Sequence, residues 1–222
     1  PDSASVDAVT NQLLENIKRN GNRLQTGFLG TKIILNTLTK IGRNDMAYTL
    51  LFQEQNPSWL YTVNQGGTTV WERWNSYTVA DGFADVGMNS FNHYAYGAVA
   101  EWMFATMAGI GNDQPGFKRI CLAPAPDQRL PLVRAEYQSA YGPIKVASEL
   151  QGESWQYSFA IPANTTAEIR IPAGDANITV DGNEVSALSR DRDGIVLCRI
   201  EDGIAVFDTT ASKHTILVVP VK

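Results

Sequence analysis

Residues 68–76 read TTVWERWNS, and residues 89–97 read NSFNHYAYG. They belong to a stretch, Asn56 to Phe104, that carries eleven aromatic residues together with many Gly and Asn. The stretch has no regular apolar period outside its last helix, and one alternative is that most of its rings fill a helical core. Sugar-binding clefts also need such rings, because the C–H faces of pyranose rings stack on aromatic side chains while amides and carboxylates bind the hydroxyls. The stretch therefore predicts a carbohydrate-binding cleft in loops between helices.

Helical patterns lie on both sides of this aromatic stretch. Helical spacing predicts one helix from about Ser3 to Asn20, in which Val6, Val9, Leu13, Leu14 and Ile17 form one apolar stripe. The same spacing predicts three more helices, and a short fifth helix is expected around Trp59–Val63. The three span Phe28–Ile41, Asn44 to the Asn56-Pro57 stop, and Asn92–Met107, the last with Tyr94, Ala98, Trp102 and Ala105 on one face.

The composition changes near residues 112–116, and we place a domain boundary there. Residues 1–114 are expected to be helical, whereas residues 115–222 contain short runs of alternating apolar residues separated by turn residues. Asp-Gly pairs at residues 181, 193 and 202 are strong hairpin signals. The expected fold class is therefore a multidomain α+β protein, in which a helical part precedes an antiparallel β-sandwich.

Charge and composition exclude several classes of function. The formal net charge of −5 gives no basic footprint for nucleic acid or an anionic membrane, and no apolar run approaches the ~20 residues of a membrane-spanning helix. The chain shows no basic-then-apolar leader, so we expect a signal peptide to be absent or already removed. Cys121 and Cys198 are expected to be two buried small residues rather than a disulfide, and no metal site or cofactor is expected.

Two polar residues are candidates for chemistry, and a third is expected to have no role in it. Glu72 lies between Trp71 and Arg73-Trp74, where a carboxylate could act as a general base that activates water, or could instead pair with Arg73 or a lysine. His93 lies at the start of the last predicted helix and could bind a ligand or serve a structural role. His214, before the last strand, is expected at the surface.

Several stretches taken together resemble one enzyme family. They are TGFLGTKIILNTLTKIGRNDMAYTLLFQEQNPSW (26–59), GGTTVWERWNS (66–76), MNSFNHYAYGAVAEWMF (88–104) with AGIG (108–111), and YSFAIPANTTAEIRIPAG (157–174). In this order and spacing they resemble the C-terminal portion of a bacterial α-L-rhamnosidase of glycoside hydrolase family 78. The pair TTVWERW and NSFNHYAYG is the most specific part. The resemblance covers roughly residues 24–172.

The resemblance implies an architecture and a reaction. It implies that residues 1–114 are the C-terminal part of an (α/α)6 catalytic barrel, with about four or five of its twelve helices, and that residues 115–222 are the C-terminal β-sandwich. The family hydrolyses terminal α-L-rhamnose with inversion. Its catalytic base matches Glu72 and a histidine that contacts rhamnose matches His93, while Trp59 and Trp74 are expected to bind substrate. Nothing in the chain matches the family's general acid.

A chain with the base but without the acid is expected to be an inactive fragment. Its expected partners are a rhamnose-containing glycoside or polysaccharide and the missing N-terminal part of the parent chain, and apolar faces normally covered by that part favour a dimer of the fragment. Two alternatives stay open: a non-catalytic carbohydrate-binding or scaffold module, and an (α/α)6 glycosidase of other sugar specificity. The bacterial parent could be periplasmic or cytoplasmic.

Overall fold

The computed structural model describes residues 2–188 and 193–221. They form two compact units, residues 2–102 and 103–221. The first unit is mainly helical and the second consists mainly of strands, so the α+β class expected from the sequence is correct. None of the described helices is both long and apolar enough to cross a membrane.

The first unit contains five α-helices and a small hairpin. The N-cap of the first helix is Asp2, whose carboxylate accepts a hydrogen bond from the Ser5 N–H at 2.8 Å. The elements in chain order are α1 Ser3–Arg19, α2 Phe28–Lys40, α3 Asn44–Leu51, α4 Trp59–Asn64, β1 Tyr77–Thr78, β2 Gly82–Phe83, a 3₁₀ turn Ala95–Ala98 and α5 Val99–Trp102.

The core of this unit lies between α2, α3 and α5. Leu38 from α2, Tyr48 from α3 and Trp102 from α5 are almost fully buried. Trp102 packs edge-on against Tyr48 with ring centroids 5.1 Å apart, and its indole N–H donates a hydrogen bond to the Thr39 hydroxyl at 2.9 Å. The indole therefore buries its apolar surface and satisfies its single donor at the same time.

Two helical predictions need correction. The stripe predicted on α1 packs only in part, because Leu14 and Ile17 are buried whereas Val9 is 70% exposed. The helix predicted over residues 92–107 is a 3₁₀ turn, then α5, then a π turn over Met103–Met107, and these turns have different periods. As a result Tyr94 is 88% exposed and Tyr96 is the buried ring, although a regular helix places Tyr94 on the inner face.

The second unit contains two sheets. In each sheet the strands alternate between buried and exposed residues, so each sheet has one buried face. The strands are β3 Ile110–Asn112, β4 Arg119–Leu122, β5 Leu132–Ser139, β6 Gly142–Gln151, β7 Ser154–Ala160, β8 Thr166–Pro172, β9 Asn177–Val180, β10 Asn183–Glu184, β11 Ile195–Glu201, β12 Ile204–Thr210 and β13 Lys213–Val219.

The sequence predicts antiparallel sheets, but one of the two sheets contains a parallel pair of strands. One sheet has the order β10-β9-β13-β7-β6-β5 and is antiparallel throughout. The other has the order β11-β12-β8-β4-β3, and its β4 and β8 run parallel with Arg119 opposite Thr166. A parallel pair needs a long crossover connection, and β5, β6 and β7 in the other sheet supply it.

His214 is a buried residue of β13, not a surface residue as expected. It is only 4% exposed, and its Nδ1 lies 2.8 Å from Oδ2 of Asp181. Its Nε2 is hydrogen-bonded to the hydroxyls of Thr209 and Ser212. Every polar atom of the ring therefore has a partner, which is what allows an imidazole to be buried here.

The two cysteines are both unpaired. The prediction that they form no disulfide is therefore confirmed, but the expected burial is wrong: Cys121 is half-buried and Cys198 is exposed on β11. Cys198 lies at a register shift between Leu197 and Arg199, and alternation from the buried Ile195 places it on the outer face of β11.

A close backbone contact at Gly109 gives a test of the second unit's packing. Gly109 has φ of +74°, and a Cβ added there would lie 2.2 Å or less from the backbone at Ala123 and Pro124. Gly152 has a similar φ of +63° with nothing within 4 Å, so it is the matched control. We expect Gly152→Ala to lose about 1 kcal/mol of unfolding free energy through its backbone conformation. Gly109→Ala should lose about 1–3 kcal/mol more.

Urea unfolding of the chain measures both losses. Equal losses for the two variants would contradict the close contact at Gly109.

Candidate active site

Two loop segments bring Glu72 and His93 together. The His93 N–H donates to the carbonyl of Val70 at 2.8 Å, and the Glu72 N–H donates to the carbonyl of Ser90 at 2.9 Å. These backbone hydrogen bonds join the segment around residues 70–72 to the segment around residues 90–93. The two candidate residues, which are 21 positions apart in sequence, therefore occupy neighbouring positions on one paired structure.

The Glu72 carboxylate is held by the backbone and not by a cation. Its Oε2 accepts a hydrogen bond from the Ser90 N–H at 2.9 Å, and Glu72 is partly exposed. Arg73 points elsewhere, since its guanidinium donates to the carbonyl of Gly87 at 2.7 Å. Within residues 2–188 and 193–221, Glu72 forms no ion pair and its Oε1 has no hydrogen-bond partner. One carboxylate oxygen is thus fixed in place and the other is available.

Side chains fix the loop that connects the two segments. The Asn89 amide donates to the carbonyl of Ser76 at 3.2 Å, and the Ser76 hydroxyl donates to the carbonyl of Arg73 at 3.0 Å. Together with the Arg73–Gly87 hydrogen bond, these contacts close the loop on both sides of the β1–β2 hairpin. The loop that follows Glu72 is therefore defined by several polar contacts at once.

The His93 ring is held by stacking and by one weak hydrogen bond. It stacks on Phe28 with centroids 4.9 Å apart and planes 22° apart, and it is half-buried. The Ala95 N–H points at Nδ1 from 3.4 Å. An Nδ1 that accepts a hydrogen bond carries no proton, so the neutral ring keeps its proton on Nε2. His93 can therefore donate a hydrogen bond from Nε2.

Trp59 and Trp74 lie in the same aromatic cluster. Trp74 stacks on Tyr96 with centroids 3.8 Å apart, and Trp59 meets Trp74 edge-on at 5.5 Å. The Trp59 indole N–H donates to the carbonyl of Tyr96 at 2.9 Å. Phe28 connects this group to His93, because it packs against both His93 and Tyr96. The structure thus links His93, Trp59 and Trp74 through ring contacts, but it already uses one face of Trp74 for packing.

The described residues offer no metal centre. In the ranges 2–188 and 193–221, no three or more His, Cys, Asp or Glu side chains lie close enough together to hold an ion.

Comparison with known sequences decides the family. Residues 1–107 match the model of the bacterial alpha-L-rhamnosidase 6 hairpin glycosidase domain, and residues 109–186 match that of the bacterial alpha-L-rhamnosidase C-terminal domain. An alpha-L-rhamnosidase of Formosa agariphila is 46% identical over 173 residues, which cover 78% of this chain and 19% of that protein. The chain belongs to the bacterial α-L-rhamnosidase family.

A second relative and two solved structures agree with this. An alpha-L-rhamnosidase of Streptomyces avermitilis is 37% identical over 93% of the chain. The crystal structure of a Streptomyces avermitilis alpha-L-rhamnosidase complexed with L-rhamnose matches all of the chain and 20% of its own length, with a TM-score of 0.86 and 36% identity. The alpha-L-rhamnosidase structure from Dictyoglumus thermophilum matches 99% of the chain and 24% of its own length, at a TM-score of 0.85 and 25% identity.

The chain spans about a fifth of the length of these α-L-rhamnosidases. It is therefore a C-terminal portion of a protein of this family, as the resemblance implied.

Sequence reasoning missed Phe28 and Tyr96 as parts of the site. The helical pattern identifies Phe28 only as the first residue of α2, and it lies 65 positions before His93, on which it stacks. The available signal for Tyr96 was its place in the aromatic stretch, but the 3₁₀ turn at Ala95–Ala98 changes the helical phase. Long-range ring contacts of this kind leave no periodic trace in a single sequence.

The ring contacts of Trp74 predict that its replacement destabilises the fold, which would not be expected of a ring that only binds sugar. Trp74→Ala removes the ring between Trp59 and Tyr96, and we expect it to lower the unfolding free energy of the chain by about 2–3 kcal/mol, somewhat less than for a fully buried Trp. Tyr94→Ala, at an exposed ring nearby, should change it by about 0.5 kcal/mol or less. Urea unfolding measures both, and an equally small loss for Trp74→Ala would contradict a packing role.

Proposed function

We propose that this chain is part of an enzyme that releases terminal α-L-rhamnose by hydrolysis with inversion, and that it carries the general base but not the general acid. The observation that carries the proposal is the Glu72 carboxylate, which has one oxygen fixed by the Ser90 N–H and the other available, on a segment whose backbone is paired with that of His93. Its substrate is a rhamnose-containing glycoside or polysaccharide. The L-rhamnose bound to the Streptomyces avermitilis relative supports this class of substrate.

Glu72 suits the role of base in such a reaction. Oε2 is occupied by a backbone donor, so Oε1 is the atom that can accept a proton from water. The water oxygen then forms a bond to the anomeric carbon from the face opposite the leaving group, while the glycosidic bond breaks. The proton goes to Glu72 and the sugar leaves with the opposite configuration.

The acid must come from outside these 222 residues. An inverting glycosidase places its two carboxyl groups ~6.5–9.5 Å apart, so that water fits between the base and the sugar while the acid protonates the leaving oxygen. The resemblance provides a match for the base alone. Loss of a general acid commonly lowers the rate ~10²–10⁴-fold, so residues 1–222 by themselves are expected to be inactive.

His93 is proposed to bind the rhamnose. A proton on Nε2 makes the ring a donor to a sugar hydroxyl, and stacking on Phe28 fixes the direction in which that N–H points. The predicted binding of substrate by Trp59 and Trp74 stays part of the proposal, although their ring contacts show that both also support Tyr96.

The exposed apolar residues of the first unit support the partial-barrel architecture. Leu29 of α2 is 87% exposed, and Ile33, one helical turn further on, is also exposed. We propose that helices of the preceding part of an (α/α)6 barrel cover this side of α2 in the whole enzyme, and that the two sheets of the second unit form the C-terminal β-sandwich. The domain ranges 1–114 and 115–222 stay a prediction, as does dimerisation of the fragment through such faces.

Replacement of the base is the direct test. Glu72→Gln in the full-length enzyme keeps the size of the side chain but removes the proton acceptor, so kcat on an aryl α-L-rhamnoside should fall ~10²–10⁴-fold. Glu54→Gln makes the same replacement at an exposed carboxylate outside the paired segments. It serves as the matched control and should leave kcat unchanged. Near-normal turnover of Glu72→Gln would refute the role of Glu72.

A second variant separates binding from chemistry. His93→Ala removes one hydrogen bond to the sugar, so KM should rise about tenfold with a smaller effect on kcat. His93→Gln, which restores an N–H donor, should recover part of the lost affinity. Steady-state kinetics of the full-length enzyme on the same substrate measure both, and an unchanged KM would show that His93 is structural.

A further inference from the structure

The backbone of Ser90 determines where the Glu72 carboxylate points. The Ser90 N–H donates to Oε2 of Glu72 at 2.9 Å, and the Ser90 carbonyl accepts from the Glu72 N–H at 2.9 Å. Both of these Ser90 groups belong to the main chain, so the direction of the carboxylate depends on the path of the backbone at residue 90. A side chain that fixes this path therefore also fixes the carboxylate.

Asn89 is the side chain that holds the backbone next to Ser90. Its NH₂ group donates to the carbonyl of Ser76 at 3.2 Å and to the carbonyl of Ala84 at 3.4 Å, which uses both N–H donors of the amide. These hydrogen bonds act one residue away from the N–H that binds Oε2 of Glu72. The Oδ1 atom of the same amide is buried and accepts no hydrogen bond from the described residues. The amide is therefore held by its donors.

Ser76 is a well-fixed anchor for Asn89. It is fully buried, and its N–H and its hydroxyl both donate to the carbonyl of Arg73, at 3.2 and 3.0 Å. Its carbonyl accepts from the Ala84 N–H at 3.0 Å as well as from Asn89. Arg73 directly follows Glu72 in the chain. The hydrogen bonds therefore form a closed circuit that leaves Glu72 through Arg73 and Ser76 and returns to it through Asn89 and Ser90.

The backbone just before Asn89 is in a strained conformation. Met88 has a φ of +51°, in the left-handed region that side chains rarely adopt, and its own side chain is 73% exposed and gives little packing support. Contacts on either side hold this turn: the Arg73 guanidinium donates to the carbonyl of Gly87 at 2.7 Å, and the Asn89 amide follows. Loss of the amide lets the turn relax, which moves the Ser90 N–H relative to Oε2.

We propose that Asn89 is a positioning residue for the general base: its amide holds the backbone at Ser90 and so sets the direction of the available oxygen, Oε1 of Glu72. The proposal rests on the role of Glu72 proposed above and extends it to a residue that acts through Ser90. A shift of about 1 Å in a reacting group can lower a rate ~10²-fold. The expected defect lies in kcat and not in KM, because Oε1 acts on water in the transition state.

Asn89→Asp in the full-length enzyme is the direct test. It keeps the size of the side chain, but a carboxylate cannot donate to the carbonyls of Ser76 and Ala84. On α-L-rhamnosyl fluoride, whose leaving group departs without a proton, kcat should fall ~10–100-fold while KM changes less than about twofold. Asn64→Asp makes the same replacement at an exposed amide with no side-chain hydrogen bond among the described residues, and it should change neither constant.

A double variant separates positioning of the base from general damage to the fold. When Asn89→Asp is added to Glu72→Gln, kcat should fall less than about twofold further, because the group that Asn89 positions is already lost. Calorimetric titration with L-rhamnose measures the fraction of molecules with a folded site in each variant. The full additional loss in the double variant, or a loss that appears mainly in KM, would overturn the proposal.

A second replacement keeps the test decisive if a buried aspartate disturbs the loop. Asn89→Ser retains a hydroxyl that can donate to one of the two carbonyls, so its kcat should lie between those of the parent and Asn89→Asp. Normal kcat in both Asn89 variants would refute the positioning role alone. Normal kcat in Glu72→Gln would instead refute the base, so the two failures are distinguishable.

Discussion

The pairing of two loop segments is the interaction on which the candidate site depends. Two backbone hydrogen bonds, from His93 to Val70 and from Glu72 to Ser90, hold the segments that carry Glu72 and His93 together, and a third from the Ser90 N–H fixes one carboxylate oxygen. Backbone donors cannot be removed by most substitutions, so this arrangement constrains the site more firmly than side-chain contacts alone.

Aromatic packing supports this pairing from both directions. Phe28 joins the His93 ring to Tyr96 and through it to the two tryptophans, while Trp71 and Phe91 extend from the paired segments toward the β1–β2 hairpin. The aromatic rings of residues 56–104 therefore do not all lie in a helical core, and they are not all free of packing contacts and available to stack on a sugar. These rings serve both packing and the formation of a concave surface.

Helical periodicity and Asp-Gly turns act over short distances, so the sequence predicts the coarse α+β architecture correctly. The role of Glu72 rests on two motifs and stays a prediction. Sequence patterns are insufficient where long-range contacts or irregular turns determine which side chains are buried. Helical spacing places Tyr94 on the inner face, but a 3₁₀ turn changes the helical phase, so Tyr94 is exposed and Tyr96 is buried. His214, expected at the surface, is buried because Asp181, which lies 33 positions earlier, and two hydroxyl groups satisfy its ring nitrogens.

The buried histidine of the second unit has a consequence of its own. Nδ1 of His214 faces a carboxylate, while Nε2 faces two hydroxyl groups, those of Thr209 and Ser212. Asp181 lies in the turn after β9, in the same sheet as β13, whereas Thr209 belongs to β12 of the other sheet. A single buried ring therefore joins the two sheets of the second unit by polar contacts in a region that is otherwise apolar.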